Sequence, residues 1–558
     1  MKKVQLLVLS AAAVLLTSCS GKLGALSADN FTVTPNPLES QAGKVDATIN
    51  GAFPEKYMKK KAVVTVVPEL RFQGANGLQT VKGQSATFQG EKVKGNDQTI
   101  SYKVGGRYAM KASFDYLPAM EQSELYLTFD AKVGKKTVQV PAVKVADGVL
   151  STSELYKRTI TTAQPALAQD AFQRIIAQQQ EANVQFLVNQ ANLRSSELKN
   201  NSVKEFLRLL GDIAKDQEGL RMDGVEISAY ASPEGSYDFN DRLAGRRQDA
   251  AAGYVKQQMK KAKVDGALET KYTAEDWEGF QQLVSASNIQ DKDVILRVLS
   301  MYQDPEQREQ QIRNISAGYA ELADAILPQL RRARMTINYS VVGRDDQQIK
   351  DQLQADARQL SVDELLYAAT LYDNQAQAEA AYKKAAEIYP NDARAFNNLG
   401  LLEYQKGNYM QAAGYFEEAS KSNLSEAVAN EALMLIMTGE TAQAEQCLAK
   451  ATGANGLNEI LGNLHLAQGK YAQAEQDFAG LQTNSAALAQ LLNKNYAAAA
   501  QTLKNVKNAD ATTDYLTAIV NARTGNNSVA AQALKAAIAK DPTLATYAAK
   551  DLELKNVK

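Results

Sequence analysis

Four polar side chains between residues 232 and 247 could together bind a charged ligand. Ser232 and Glu234 stand in a short turn, and Asn240 and Arg247 follow it. A guanidinium forms charge-assisted, often bidentate hydrogen bonds with a carboxylate, and it is too costly to bury without a partner. The carboxylate that Arg247 requires belongs either to the protein or to a ligand. The alternative is an arginine with a buried aliphatic stem and a charged end in water.

A strand, a turn and a helix must position these four residues. Apolar and polar residues alternate over 225–231, which is the pattern of a strand with one buried face. Pro233 and Gly235 interrupt this pattern, and Asn240 can cap the helix that follows. The helical spacing is carried by Leu243, Arg247, Ala251 and Tyr254. This spacing predicts that Arg247 lies on the apolar stripe of the helix, beside the turn.

The same stretch resembles the core motif of OmpA-like peptidoglycan-associating domains, G-H-T-D-x-x-G followed by N-x-x-L-S-x-x-R-A. The matching residues are Ala229, Tyr230, Ala231, Ser232 and Gly235 in the first part and Asn240, Leu243, Ala244 and Arg247 in the second. In that family the Asp and the Arg hold the diaminopimelate of the peptidoglycan peptide stem. The resemblance therefore implies a peptidoglycan site at Arg247 and Asn240. Ser232 stands in place of the Asp, and Glu234 is a candidate substitute for its carboxylate.

Length and composition predict several domains and exclude some classes of function. The chain has 558 residues, 45% of them hydrophobic, and a net charge of −1. It can therefore bury several cores, and it has no strong field to attract nucleic acid. With one histidine, His465, and two cysteines, Cys19 and Cys447, it cannot form a Cys/His zinc cluster. No glycine-rich phosphate loop, G-x-S-x-G or H-E-x-x-H occurs, so we predict a non-enzyme without metal or cofactor.

The first 18 residues resemble a lipoprotein signal peptide. Two lysines precede an apolar run over 4–16 that is too short to span a bilayer. Residues 16–19, Leu-Thr-Ser-Cys, resemble a bacterial lipobox, which implies a lipidated Cys19 and a linker over 19–28. No acidic cluster resembling a surface-export signal follows, so the predicted location is the outer membrane, with the body in the periplasm. The alternative is a plain signal peptide with an incidental cysteine.

Residues 29–150 are predicted to form an all-β domain. Short alternating runs, separated by turn residues, recur without any helical period. This pattern is typical of an Ig-like sandwich of about seven strands. The polar stretch over 151–183 is interpreted as a helical spacer.

Residues 184–343 are predicted to form the α+β OmpA-like domain. The opening strand resembles that of the family from Val184 onwards, and the last strand over 334–342 follows Arg331 and Arg332. Residues 267–330 depart from the compact family pattern and are predicted to be a helical insertion, similar to insertions in OmpA-like proteins of Bacteroidota. Trp277 in this insertion is predicted to be a core residue with a solvated acidic flank, and a docking surface is the alternative.

An internal repeat occupies residues 361–558, after a polar linker over 344–360. Its period is about 34 residues. The recurring residues are Ala378, Tyr382, Ala385 and Pro390, followed by Ala412, Phe416, Ala419 and Leu424, with Leu399, Gly400, Gly407 and Tyr409 between them. The pattern resembles about six tetratricopeptide repeats, which implies an α-solenoid in which small residues allow paired helices to approach closely.

These resemblances imply a Bacteroidota-type outer-membrane lipoprotein with an OmpA-like domain and C-terminal repeats. The predicted function is a non-catalytic tether between the outer membrane, or a complex in it, and peptidoglycan. The predicted partners are the diaminopimelate of the peptide stem, outer-membrane lipid through Cys19, and an unidentified protein on the repeats. The alternative is an assembly or secretion-system scaffold whose OmpA-like domain no longer binds peptidoglycan, which Ser232 in place of Asp leaves open.

Overall fold

The computed structural model describes residues 23–289 and 291–557, without the side chains of 316–318. These residues divide into two compact units. The first unit combines the chain up to Asp170 with the chain from Tyr372 onwards, and the second is 171–371. The predicted lipidation site, Cys19, lies outside the described residues. Within them, no helix is both long and apolar enough to cross a membrane.

The N-terminal region is rich in β-structure, as predicted. Its strands are β1 (Phe31–Thr34), β2 (Leu38–Gln41), β3 (Lys44–Phe53), β4 (Ala62–Gly74), β5 (Gly77–Lys82), β6 (Ala86–Gly90), β7 (Gln98–Ile100), β8 (Gly106–Asp115), β9 (Glu124–Val133), β10 (Lys136–Gln139), β11 (Val143–Asp147) and β12 (Val149–Leu150). One sheet contains β1, β2, β3, β8 and β12, and the other contains the remaining seven. Alternate residues of these strands, such as Leu38, Ile49, Val64 and Leu127, are fully buried in one core.

Residues 151–170, hereafter the strap, lead from β12 into the helical part of the same unit. The strap contains short 3-10 turns and one helical turn, α1 (Tyr156–Thr159), and has no regular secondary structure over 163–170. The prediction of a helical spacer over 151–183 is therefore wrong. Its last part, including Gln178, belongs to a strand whose whole length pairs with another strand. A run of exposed polar residues carries no period, so the sequence could not distinguish the two structures.

The second unit is built on a four-stranded sheet with the order β13-β16-β14-β15. Its main elements are β13 (Ile175–Gln185), α2 (Asn201–Lys215), β14 (Leu220–Tyr230), α3 (Tyr237–Ala262), β15 (Leu268–Thr273) and, later in the chain, β16 (Arg332–Val342). β14 and β15 are parallel, and β16 is antiparallel to both β13 and β14. Apolar residues of α2 and α3, such as Phe206 and Val255, pack with Ile227 and Ile337 of the sheet.

A helical insertion separates β15 from β16. It contains α4 (Trp277–Ala286), α5 (Lys292–Met301), α6 (Pro305–Arg313), α7 (Ser316–Glu321) and α8 (Leu327–Leu330), with a π-helical turn at Leu322–Ile326. These helices share a small core that includes Phe280, Ile295 and Leu322. The insertion begins later than the predicted residue 267, because 268–273 form a strand paired with β14. The unit ends with α9 (Asp346–Asp356) and α10 (Val362–Thr370), so the predicted linker over 344–360 is largely helical.

Stacked helices complete the first unit. They are α11 (Gln375–Ile388), α12 (Ala393–Gln405), α13 (Tyr409–Ser420), α14 (Ser425–Thr438), α15 (Thr441–Leu448), α16 (Leu457–Ala467), α17 (Tyr471–Asp477), α18 (Asn484–Leu492), α19 (Tyr496–Lys504), α20 (Ala511–Arg523), α21 (Asn527–Lys540) and α22 (Leu544–Ala548). A Cβ atom on Gly400 would lie 2.6 Å from the ring of Phe416, and one on Gly462 would lie 2.6 Å from the ring of Phe478. The two glycines therefore allow each helix pair to approach closely, as predicted for Gly400.

Candidate functional site

Three buried asparagines of the helical array hold the backbone of the strap. Asn430 on α14 accepts a hydrogen bond from the N–H of Ala166 at 2.6 Å and donates to its carbonyl at 2.8 Å. Asn397 on α12 donates to the same carbonyl at 2.9 Å. Asn398 accepts from the N–H of Ala168 and donates to its carbonyl, both at 3.0 Å. A side-chain amide has both a donor and an acceptor, so it can satisfy a peptide group whatever side chain that residue carries.

The asparagines lie side by side because they follow the repeat. Asn397 and Asn430 are 33 residues apart, and their side chains hydrogen-bond to each other at 2.9 Å. Asn463 continues the same spacing on α16 and accepts from Ser485 at 2.9 Å. The sequence patterns described above did not predict this row of asparagines. Its only signal was an asparagine recurring at the repeat period among apolar residues.

Further polar contacts bind the strap on either side of these asparagines. The Tyr404 hydroxyl donates to the carbonyl of Ile160 at 2.5 Å. Arg394 donates to the carbonyl of Asp170 at 2.9 Å. The carboxyl of Glu459 is buried next to the backbone of Gln164, and burial raises its pKa to about 7.

The first half of the strap is held by apolar contacts instead. Leu155, Tyr156, Ile160 and Ala163 are buried in the same core as the array helices. Polar bonds join this half to both ends of the unit. At the β-rich end, the hydroxyls of Ser40 in β2 and of Ser153 in the strap share a hydrogen bond of 2.7 Å. This half of the strap is thus part of the core and explains why two distant stretches of sequence form one unit.

The last helical turns of the chain contact the beginning of the strap. Thr152 donates to Glu553 at 2.5 Å, and Glu553 pairs with the half-buried Arg523. The hydroxyls of Ser151 and Tyr547 lie 3.0 Å apart. The sequence did not predict the contacts of the strap with the last helical turns, because Thr152 and Glu553 are 401 positions apart and Ser151 and Tyr547 are 396 apart.

The Glu459 carboxyl predicts a pH dependence of array stability. Its pKa of about 7 in the folded protein lies above the value of about 4.3 in an unfolded chain. The folded state therefore binds more protons between these values, and stability falls as pH rises from about 5 to 7.5. We expect Glu459→Gln to raise the free energy of unfolding at pH 8 by up to about 3 kcal/mol and to change it little at pH 4.5. Urea unfolding followed by circular dichroism at both pH values measures this, and an equal effect at both would contradict it.

The second candidate site is the loop between β14 and α3, where Arg247 is fully buried. Its exposed fraction is 1%. The guanidinium donates to the carbonyls of Tyr230 at 2.8 Å, Gln190 at 3.0 Å and Leu187 at 3.2 Å. It also lies 5.1 Å from the ring centre of Phe186, and burial lowers the pKa of Arg247 to about 10. Backbone carbonyls thus take the place of both the expected carboxylate and the alternative of water.

The other three predicted site residues lie together in this loop. Ser232 donates to the carboxylate of Glu234 at 2.8 Å, and Asn240 donates to the Glu234 carbonyl at 3.1 Å. The Glu234 carboxylate forms a salt bridge of 2.8 Å with Arg331 rather than with Arg247. The structure therefore brings the motif residues together, but it pairs the acid and the arginine of the motif with other groups.

The insertion contacts the same loop. Glu309 on α6 accepts a hydrogen bond from the N–H of Gly235 at 2.8 Å. Before α4, Glu275 accepts from the indole N–H of Trp277 at 3.0 Å, and burial raises the pKa of Glu275. Asp276 is buried and pairs with Arg332 at 2.9 Å. Trp277 packs against the insertion core as predicted. Its acidic flank is only partly solvated, because Glu278 is exposed whereas Asp276 is buried in its pair with Arg332.

Other candidate groups do not form a site. Among the residues that the structure describes, no group of three His, Cys, Asp or Glu side chains could hold a metal ion. His465 lies with its Nδ1 2.5 Å from a carboxylate oxygen of Asp477. Cys447 packs against the array core, and burial raises the pKa of its thiol.

Comparison with known proteins identifies the helical array. Residues 373–426 and 397–456 match the model of the tetratricopeptide repeat family. The helices within 373–456 are tetratricopeptide repeats. Such arrays are platforms for protein–protein interaction and are typically non-catalytic scaffolds. Among curated proteins, none matches the chain.

Several solved structures are similar to the chain at low identity. A tetratricopeptide repeat protein from Parabacteroides merdae ATCC 43184 is 17% identical, covers 35% of this chain and 85% of its own, and has a TM-score of 0.28. YrrB, described as a TPR protein with an unusual peptide-binding site, is 18% identical, covers 37% and 100%, and has a TM-score of 0.22. Yeast Tom70 is 11% identical, covers 64% and 80%, and has a TM-score of 0.24. At these values the similarity carries no information about ligands.

Proposed function

We propose that this protein is a non-catalytic scaffold of the bacterial cell envelope whose repeats hold a protein partner. The observation that carries this proposal is the set of hydrogen bonds from Asn397, Asn398 and Asn430 to the backbone of the strap. An array that satisfies both the N–H and the carbonyl of consecutive inward-facing residues is built to hold an extended polypeptide. The resemblance of residues 16–19 to a lipobox supports the envelope location, with the body anchored through lipid on Cys19.

Site-specific photo-crosslinking in cells tests the scaffold function. Met410 on α13 is 91% exposed, and Leu78 on the sandwich is 73% exposed, so each can carry a crosslinking amino acid without disturbing a core. We expect a discrete protein adduct from position 410 and none from position 78. Position 78 is the control for the abundance of the protein and for nonspecific crosslinking. Adducts from position 78 alone, or from neither position, would contradict the proposal.

Lipid anchoring predicts the behaviour of a Cys19 variant. We expect the wild-type protein to fractionate with membranes and to carry acyl chains on Cys19, since the buried methylene groups of several chains give stable anchoring. Cys19→Ala should be released or should keep its first 18 residues, whereas Cys447→Ala should behave as the wild type. Mass spectrometry of the membrane and soluble fractions measures both outcomes. A soluble, unacylated wild-type protein would contradict the anchor.

Peptidoglycan tethering is the second candidate function. The observation in its favour is the convergence of Ser232, Glu234 and Asn240 in one loop, as the OmpA-like resemblance implies. Against it, Arg247 already donates to three carbonyls, and Glu309 already binds the N–H of Gly235. We therefore favour the scaffold whose OmpA-like unit does not bind peptidoglycan. The tether would instead be established if the wild-type protein sedimented with purified sacculi and Ser232→Asp increased its affinity for them.

A further inference from the structure

The two halves of the strap are held by different kinds of contact. Residues 151–163 bury large apolar side chains, including Leu155, Tyr156 and Ile160, in the array core. Residues 164–170 contribute no large buried side chain besides Pro165. Their hydrogen bonds with the array asparagines and Arg394 go to the backbone. The first half is a fixed part of the fold, whereas the second half is bound as a peptide ligand would be.

The array recognises the second half by its backbone groups and by the small size of alternate side chains. Ala166 and Ala168 face the array and are buried, whereas Leu167 between them and Gln169 after them are exposed. This alternation is the period of an extended chain, whose successive side chains point in opposite directions. Any extended segment with small residues at two alternate positions can offer the same N–H and carbonyl groups to the asparagines. The site therefore selects an extended conformation and small residues at two alternate positions, rather than one particular sequence.

Release of the second half is less costly than release of the first. Each hydrogen bond to a neutral amide is strong in itself but contributes little net, because water replaces it when the segment leaves. The first half cannot leave in this way, since it would expose the apolar core of the array. Residues 164–170 occupy the surface formed by Asn397, Asn398 and Asn430, hereafter the groove. Their release from the groove is thus the local opening of lowest free energy.

We propose that residues 164–170 are an exchangeable ligand supplied by the chain itself, and that the protein partner of the repeats replaces them. The partner would present an extended segment with small residues at alternate positions to Asn397, Asn398 and Asn430. This inference rests on the proposed scaffold function in taking the partner to be a protein. While the segment competes, the apparent Kd for the partner equals the intrinsic Kd divided by the fraction of time that the segment leaves the asparagines free.

A labelled peptide with the sequence of residues 164–170, QPALAQD, tests the exchange on the full-length protein. The variant Ala166→Pro/Ala168→Pro removes both N–H donors of the strap and keeps an extended backbone, so it should vacate the groove. We expect this variant to bind the peptide at least tenfold more tightly than the wild type. Adding Asn430→Ala should abolish the gain, and a control peptide with Trp at both alanine positions should not bind.

Two results would overturn the inference. One is a folded double-proline variant that binds QPALAQD no more tightly than the wild type. The other comes from hydrogen exchange of the wild-type protein, which requires no variant to fold. The N–H groups of Ala166 and Ala168 should exchange faster than that of Leu433, which is fully buried in α14. Exchange of all three at the rate of global unfolding would show that the segment is not released.

The crosslinking experiment separates this inference from the scaffold function on which it rests. A protein adduct at Met410 together with failed peptide exchange would overturn the inference and leave the scaffold in place. The absence of any adduct at Met410 would overturn the scaffold function, whatever the peptide does.

Discussion

Truncation of the chain after Leu371 is expected to make the remaining protein aggregate. The strap residues Leu155, Tyr156 and Ile160 lie in the array core, and their exposed fractions are 3%, 9% and 1%. Burying a large apolar side chain is worth about 1.5 to 3 kcal/mol, so losing the array removes about 5 kcal/mol or more of favourable burial. The side chains left in water form an apolar patch of the kind that drives association. Gel filtration with light scattering, and binding of a hydrophobic dye, measure the outcome.

Two controls show whether the strap is responsible. The fragment 171–371 is a compact unit by itself and should be monomeric. The same truncation with Leu155, Tyr156 and Ile160 replaced by Ser should regain solubility, because the sandwich keeps its own core. A truncated wild-type chain that stays monomeric and binds no extra dye would contradict the structural role of the strap.

Replacement of Arg247 by Ala is expected to lower the free energy of unfolding of the second unit by about 3 to 5 kcal/mol. The substitution leaves the carbonyls of Leu187, Gln190 and Tyr230 without the donor that they share. It also opens a cavity over the ring of Phe186. The sequence left open an arginine with a buried aliphatic stem and a charged end in water, and the loss of such a side chain would cost little stability. The burial of Arg247 reverses that expectation.

Urea unfolding followed by tryptophan fluorescence measures this effect without interference from the first unit. Trp277 is the single tryptophan of the chain and lies in the second unit. Arg246→Ala is the matched control, because Arg246 is exposed on the same helix and its loss should change stability by no more than about 0.5 kcal/mol. Arg247→Lys should be intermediate, since an ammonium lacks the planar fork. A wild-type midpoint for Arg247→Ala would contradict the stabilising role of this guanidinium.

Local periodicity in the sequence determined the elements of this protein. Alternation predicted the N-terminal strands, and helical spacing after a Pro- and Gly-containing turn predicted β14 and α3. The repeat of small and aromatic residues predicted the array, including the close approach at Gly400. These features are legible because each depends on neighbours within one turn, one strand or one repeat.

The partners of the polar residues were decided by the tertiary structure. Ala166 and Asn430 are 264 positions apart, and Gly235 and Glu309 are 74 apart. No local pattern records such pairs, and a polar residue on a helix is equally compatible with solvent. The row of Asn397, Asn430 and Asn463 was present in the sequence, but only the course of the strap shows what it binds. Arg247 shows the same principle: its type and position were visible, but whether it meets a ligand, water or three carbonyls depends on how the chain folds around it.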